Sequence, residues 1–324
     1  MCEVLVPVIF LALAFDFING FHDTANAVAT SLATGALTSR SAILLATTMN
    51  FLGALTFTGV ALTMAGGIVD TATLSNNPKT ITAALLAAVV WNLLTWLGGL
   101  PSSSSHALVG ALTGAALAAA GLKGVNLPGL VTIFQALVLS PLLAVTTGFT
   151  VMAVLLLLTG GQTNPRLSRC FRYWQRVAAA LQAFSHGTND AQKTMGVITL
   201  TLVLTGYQES LVVPLWAKVL SALSLALGTS CGGWRIIHTV GEGITRLDPP
   251  AGFAADTGSA LVIFTATLLG LPVSTTHVIS SSITGVGLTR GAKAVSWSTI
   301  GRILLAWVLT LPVTAVLGAL FYIL

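Results

Sequence analysis

Residues 99–114 read GLPSSSSHALVGALTG, and residues 270–285 read GLPVSTTHVISSSITG. Pro101 aligns with Pro272 and His106 with His277, with a run of hydroxyl side chains between each pair. A second pair of motifs precedes them in the same order. Asn19–Ala29 read NGFHDTANAVA, and Phe184–Gly196 read FSHGTNDAQKTMG, placing Gly20 opposite Gly187 and Asp23 opposite Asp190. Two motifs recurring in one order at nearly one spacing mark an internal duplication. The chain divides into a first repeat over residues 1–158, a basic connection over 159–176 and a second repeat over 177–324.

Composition sets the solvent in which these repeats fold. Of 324 residues, 55% are hydrophobic and 7% are charged, whereas soluble domains carry about 25% charged residues. The mean hydropathy is +0.91. Lipid must cover much of such a surface, so the expected class is an all-α membrane protein. Spans need about 20 apolar residues. In the first half the apolar segments are Val4–Ser31, Ser41–Ala65, Thr80–Leu100, Ser105–Ala120 and Leu130–Leu158. In the second they are Val177–Leu204, Val212–Thr229, Gly252–Leu271, Thr276–Leu288 and Ile300–Leu324. These are about ten hydrophobic segments, five to each half. The fourth and ninth are short, which predicts re-entrant pieces. Glu3 stands where a signal peptide would carry basic residues, so the N-terminal run reads as the first span. Cys2, Cys170 and Cys231 are scattered and odd in number, which fits isolated thiols.

Five crossings per repeat is an odd number. The second copy must then enter from the opposite face, giving two inverted-topology repeats with broken helices or re-entrant hairpins and a site near the midplane. Two same-facing repeats would need an even count. The connection carries Arg166, Arg169, Arg172 and Arg176, and the positive-inside rule places it in the cytoplasm. Alternate loops add Arg40, Arg235, Arg246, Arg290 and Lys293 to that side and leave Lys79 and Lys123 on the other. The expectation is a multi-pass protein of the cell membrane with both termini outside. The net charge of +5 comes without a basic run interleaved with aromatics, so no nucleic-acid partner is indicated.

Asp23 and Asp190 sit inside apolar segments, where a carboxylate is costly and marks a functional site. Glycines and amides flank them: Asn19 and Asn26 near Asp23, Asn189 and Gln192 near Asp190. Polar, glycine-rich stretches within a span suggest broken helices whose carbonyls join side-chain oxygens around a cation. Sodium favours hard oxygen ligands of this kind. The cation-binding candidates are therefore Asp23, Asn26, Asn189 and Asp190, with sodium at the two aspartates. A structural carboxylate satisfied by a neighbouring helix is the plainer alternative.

Ser102, Ser103, Ser104 and Ser105 follow Pro101, and Ser274, Thr275 and Thr276 follow Pro272 and Val273. Proline and hydroxyl residues ahead of an apolar run signal a helix start. Its free N–H groups and positive dipole, with hydroxyl donors added, suit a tetrahedral oxyanion. Ordinary capping is the alternative. His106 and His277 close the clusters and fit orientation of the serines, capping or proton relay. His22, Asn92, Lys193 and Gln192 are secondary candidates, and Lys193 could neutralise Asp190. Asp16, Asn50, Gln182 and Asp256 are further polar groups at membrane depth.

At these residues the sequence resembles the inorganic phosphate transporter family, which carries duplicated GANDVANA-like and GANDAQK-like motifs and duplicated P-x-S-x-T/S-H motifs. Here they stand as GFHDTANA (Gly20–Ala27), GTNDAQK (Gly187–Lys193), PSSSSH (Pro101–His106) and PVSTTH (Pro272–His277). The resemblance implies a symporter that imports inorganic phosphate with a coupling cation. The Asp/Asn motifs would bind the cation, sodium or a proton, and the Ser/Thr motifs phosphate. No other cofactor is implied, and a homodimer is suggested. Two features depart from the common pattern. His22 replaces an amide, as in a bacterial low-affinity branch similar to proton-coupled carriers, and the central loop is short. A further branch resembles sulfate carriers.

Other classes give different expectations. An intramembrane hydrolase could use the buried Ser, His and Asp, but there is no G-x-S-x-G elbow and a single triad needs no duplication of every motif. An anion channel could share the inverted repeats.

Overall fold

The computed structural model describes residues 2–161 and 165–324. The side chains of Cys2, Glu3 and Val4, and residues 162–164 of the basic connection, lie outside the described residues. The described chain is helical throughout, with one isolated bridge between Val69 and Val125. The first half runs α1 (Cys2–His22), α2 (Thr24–Ala33), α3 (Ser39–Ala54), α4 (Gly59–Gly67), α5 (Pro78–Leu97), α6 (Ser104–Ala120) and α7 (Leu127–Thr159). The second runs α8 (Pro165–Leu204), α9 (Leu215–Cys231), α10 (Trp234–Glu242), α11 (Pro249–Leu268), α12 (Thr275–Leu288) and α13 (Trp297–Ile323). α3 and α4 meet at a 71° bend and α9 and α10 at 75°. The halves therefore follow one order of elements, with α1–α2 standing where α8 does and a bent pair next.

The helix α8 defines the two ends of the bundle. Its 40 residues extend about 60 Å at 1.5 Å per residue, more than the roughly 30 Å of a bilayer core. At its C-terminal end Asn76 N donates to Leu204 O at 2.8 Å, and Asn77 Nδ2 donates to Tyr322 Oη at 2.9 Å. The end of α13 lies there. At its N-terminal end Arg176 Nε donates to Ala36 O at 2.8 Å. Thr159, Leu167, Asp248 and Arg290 line one hollow at the same end. Leu324 and Arg169 thus lie at opposite ends. α1 starts at the first of them, because its continuation α2 leads to Ala36 at the second.

Two hairpins enter from these ends and meet head to head. α5 and α6 begin and finish together, since Asp70 N donates to Gly124 O at 3.0 Å. α11 and α12 do so at the other end, where Arg290 pairs with Asp248 at 2.6 Å. Their tips touch inside the bundle: Ser105 Oγ donates to Val273 O at 2.9 Å, and the His106 and His277 rings stack at 4.5 Å. α12 has 14 residues, about 21 Å, too short to cross. The ninth segment is re-entrant, as its length predicts, and the fourth turns back at the same meeting of tips although Ser104–Gly124 is long and apolar enough to cross. α7 and α13, the most apolar helices, close the outside of the hairpins. Their leucines, such as Leu142 and Leu305, are exposed to lipid.

Three sequence expectations change. The chain breaks at Asp23, where φ −94° and ψ 5° separate α1 from α2, but α8 passes through Asp190 unbroken. Gly187 serves packing there: a Cβ would sit 2.2 Å from Asn50 O, so glycine lets α3 approach α8 closely. The basic connection is largely helical, because α8 already begins at Pro165. Arg235 is not among the charges of the arginine-rich end. It lies at the turn of the first hairpin, donating to Leu97 O at 2.8 Å and stacking over Trp96 at 5.3 Å. Trp91 Nε1 donates to Thr310 Oγ1 at 3.1 Å between α5 and α13. Cys170 and Cys231 are exposed free thiols.

Candidate functional site

The site forms where the break in α1–α2, the middle of α8 and the two hairpin tips converge. At the break the backbone stays tied: Asp23 N donates to Asn19 O at 2.8 Å, and Asn26 N to Asp23 O at 2.9 Å. The carboxylate projects between the tips. Its Oδ1 lies 2.6 Å from His22 Nδ1. Its Oδ2 accepts from Ser104 Oγ and from Thr276 Oγ1, each at 3.3 Å. One hydroxyl comes from each repeat, so Asp23 is the point at which both hydroxyl clusters meet.

The predicted oxyanion residues divide by role. Ser103 and Ser274 are N-caps: their side chains accept from His106 N at 3.1 Å and His277 N at 3.2 Å, which starts α6 and α12. Ser103 Oγ also meets His106 Nδ1 at 2.8 Å. Ser105 is used in joining the tips. Ser102 Oγ donates to Thr95 Oγ1 at 2.8 Å. That leaves Ser104, Thr275 and Thr276 facing Asp23 and Asn26. Asn26 Nδ2 donates to Thr276 Oγ1 at 3.0 Å and to Thr275 Oγ1 at 3.4 Å. All these hydroxyl residues are buried. Two helix N-termini, with positive dipole ends and free N–H groups, therefore point into one polar centre.

His22 is held at both ring nitrogens. Its Nε2 is 3.2 Å from Thr95 Oγ1, and that hydroxyl has the carbonyls of Trp91 and Asn92 as acceptors at 3.0 and 3.2 Å. Ser102 Oγ stands 3.4 Å from the same Nε2, so the ring meets Asp23 on one side and two hydroxyls on the other.

The second aspartate has a different environment. Asp190 Oδ1 takes Lys193 Nζ at 2.6 Å, and its Oδ2 accepts from Asn19 Nδ2 at 3.2 Å. His186 Nε2 stands 3.4 Å away. Asn50 Nδ2 donates to Thr229 Oγ1 at 3.0 Å, which turns Asn50 Oδ1 toward His186 Nδ1 at 3.1 Å. Nδ1 is thus a donor, and only a proton on Nε2 joins that ring to the carboxylate. Asp23, His186 and Asp190 each bring one ligand atom within 4.8 Å of the others. The aspartates, 167 positions apart in the alignment of the motifs, share one centre.

The remaining candidates are tied into the scaffold. Asn189 Nδ2 donates to Thr267 Oγ1 at 3.1 Å and Leu271 O at 3.2 Å, and its Oδ1 accepts from Val273 N at 3.2 Å. It splints the second tip to α8. Gln192 accepts from Ala61 N at 3.2 Å and donates to Thr188 O. Asn92 is fully buried on α5, with both amide atoms free of hydrogen bonds. His186 escaped the sequence reading. Its spacing of four from Asp190 on one helix face was the available signal.

Charge accounting unifies the centre. The buried ionisable carboxylates among the described residues are Asp16, Asp23, Asp190 and Asp256, and the buried Lys or Arg side chain is Lys193. With all ionised and the histidines neutral, the interior carries three negative charges in excess.

Comparison with known proteins follows the same residues. The model of the phosphate transporter family matches residues 19–318. A probable low-affinity inorganic phosphate transporter of Bacillus subtilis is 52% identical, covering 98% of this chain and 96% of that protein. One of Rhizobium meliloti with the same description is 44% identical over the same shares. A solved structure described as the sodium-dependent phosphate transporter superposes with a TM-score of 0.91 at 26% identity, covering 99% of this chain and 98% of that one.

Proposed function

The chain belongs to the phosphate transporter family, and from that premise we propose that it is a cation-coupled phosphate symporter in which Asp23 is shared by the anion and the coupling ion. The observation that carries this reading is the pair of hydroxyls, one from each repeat, donating to Asp23 Oδ2. A phosphate at the facing helix N-termini needs those same donors. While Asp23 is ionised it holds them and repels the anion. A positive charge on the Asp23 side weakens both effects, so the hydroxyls can turn to phosphate. The buried carboxylates outnumber the one buried ammonium, Lys193, which disfavours entry of a further anion without a cation at membrane depth.

The proton is the first choice of coupling ion. Asp23 already has His22 Nδ1 at 2.6 Å, and Thr95 Oγ1 lies 3.2 Å from the second ring nitrogen. Protonating His22 supplies the charge without a vacant coordination sphere. Sodium is the second reading. Asn26 Oδ1 is buried without a partner beside Asp23, and the structural neighbour is described as sodium-dependent. The arginine-rich end faces the cytoplasm on the positive-inside rule, which puts both termini outside.

The test is radiolabelled phosphate uptake into proteoliposomes with pH and sodium gradients imposed separately, and sulfate as competitor. Accumulation driven by a pH gradient in sodium-free buffer is expected. Accumulation only with a sodium gradient would replace the proton with sodium, and uptake indifferent to both would reject coupling.

A further inference from the structure

One carboxylate of the interior has no basic partner and no role in the centre described above. Asp16 lies on α1, two turns before Asp23, and is fully buried. Neither of its oxygens makes a hydrogen bond. Asn19 stands three residues on, on the same helix face, and is anchored by donating Nδ2 to Asp190 at 3.2 Å. That bond uses the amide nitrogen and leaves Asn19 Oδ1 buried and unpartnered. On α8, Thr194 follows Asp190 by four residues and so shares its face toward α1. Its Oγ1 is likewise buried and unpartnered. α1 and α8 run antiparallel, so Asn19 opposite Asp190 brings Asp16 beside Thr194, and Asp16 neighbours both Thr194 and Asn19.

We propose that Asp16, Asn19 Oδ1 and Thr194 Oγ1 form a second cation site, one turn from Asp190, that takes a sodium ion. Four oxygens converge there from two helices, and hard oxygen donors are what a small alkali cation prefers. The charged groups facing the site are Asp190 and Lys193. Lys193 is engaged with Asp190 at 2.6 Å, so its charge is already offset and Asp16 remains uncompensated. A single uncompensated carboxylate matches one positive charge. A divalent ion would need more carboxylate than the site offers. The inference goes beyond the proton reading at His22 and Asp23, since it adds a metal cation at separate residues. It also changes the sequence expectation for the second repeat, because the carboxylate free to hold sodium is Asp16 and not Asp190.

The experiment is equilibrium binding of radioactive sodium to the full chain, purified in detergent, in choline buffer without phosphate. Saturable binding is expected for the unaltered protein. Asp16→Asn should weaken it about tenfold or more, the scale of losing a charged ligand. Thr194→Val, which keeps shape and removes one oxygen, should weaken it by a smaller factor. Asp256→Asn removes the other buried carboxylate outside the centre and should leave binding unchanged. Monodisperse elution and an unchanged melting temperature of the Thr194 variant exclude misfolding as the cause. The proposal is overturned if the unaltered protein binds no sodium saturably, or if either Asp16→Asn or Thr194→Val binds it as tightly as the unaltered protein. Because binding is read without transport, failure here leaves the phosphate reading standing, and failure of proton-driven uptake leaves this site standing.

Discussion

Replacing His22 by Gln isolates the proton from the geometry that holds it. A glutamine amide can still donate to Asp23 Oδ1, but it cannot carry a charge. The contact it replaces is 2.6 Å long between side chains that are 0% and 2% exposed. At an effective dielectric of about 20, two unit charges 3–4 Å apart attract by roughly 4–6 kcal/mol. Desolvation of both groups takes back much of that. A hydrogen bond to a charged group contributes about 1.5–3 kcal/mol net, roughly ten- to a hundred-fold in how often the positive charge is present beside Asp23. Proton-driven accumulation in proteoliposomes should therefore fall about ten- to a hundred-fold. Phosphate-for-phosphate exchange, which needs no net proton movement, should persist. The comparison of net accumulation with exchange is the assay, because a collapsed site would abolish both. Accumulation by His22→Gln at the unaltered rate, in sodium-free buffer under a pH gradient, would refute the reasoning.

Three further outcomes follow from the same geometry. Ser104→Ala and Thr276→Ala each remove a donor shared by Asp23 and the anion, and each should weaken phosphate binding roughly ten- to a hundred-fold in a competition assay; unchanged binding in both would remove the hydroxyls from the site. Lys193→Met leaves Asp190 buried and unpaired and should destabilise the protein by about 3–5 kcal/mol, whereas the double change with Asp190→Asn should recover most of the loss in a thermal melt; equal melting of single and double variants would mean the pair at 2.6 Å contributes little. Cysteines introduced at Arg169 and Arg290 should be shielded from an impermeant reagent in right-side-out vesicles while one at Leu324 is labelled, and labelling of Arg169 and Leu324 positions from one side would contradict the opposite ends seen in the bundle.

The duplication carried most of the architecture into view. Proline, hydroxyls and histidine recur before each short apolar run, and their offset alone places two helix starts in equivalent positions. The length of Thr276–Leu288 excludes a crossing, so the hairpin was legible too. What remained hidden depends on partners brought together only by folding. Nothing local separates Ser104, which faces Asp23, from Ser105, which bonds Val273 O. Nothing local tells that Asn189 spends both ends of its amide on the second tip. Glycine next to a buried aspartate suggests a helix break in both copies, yet Gly187 meets Asn50 of α3 and the helix continues. Close helix packing and a backbone break draw on the same residue for different physical reasons, and only the neighbour decides between them.

That difference makes the halves structurally unequal. At Asp23 the break aims the carboxylate at both tips, and its partner is the imidazole of His22 at 2.6 Å. At Asp190 the helix is continuous and the partner is an ammonium on the next turn, held at 2.6 Å. Asp190 gives one oxygen to that ammonium and the other to Asn19, which ties the segment carrying Asp23 to α8. The sequence repeat supplies two equivalent acidic positions. The structure breaks the helix at the first and carries it unbroken through the second, so the two carboxylates meet the centre with different partners.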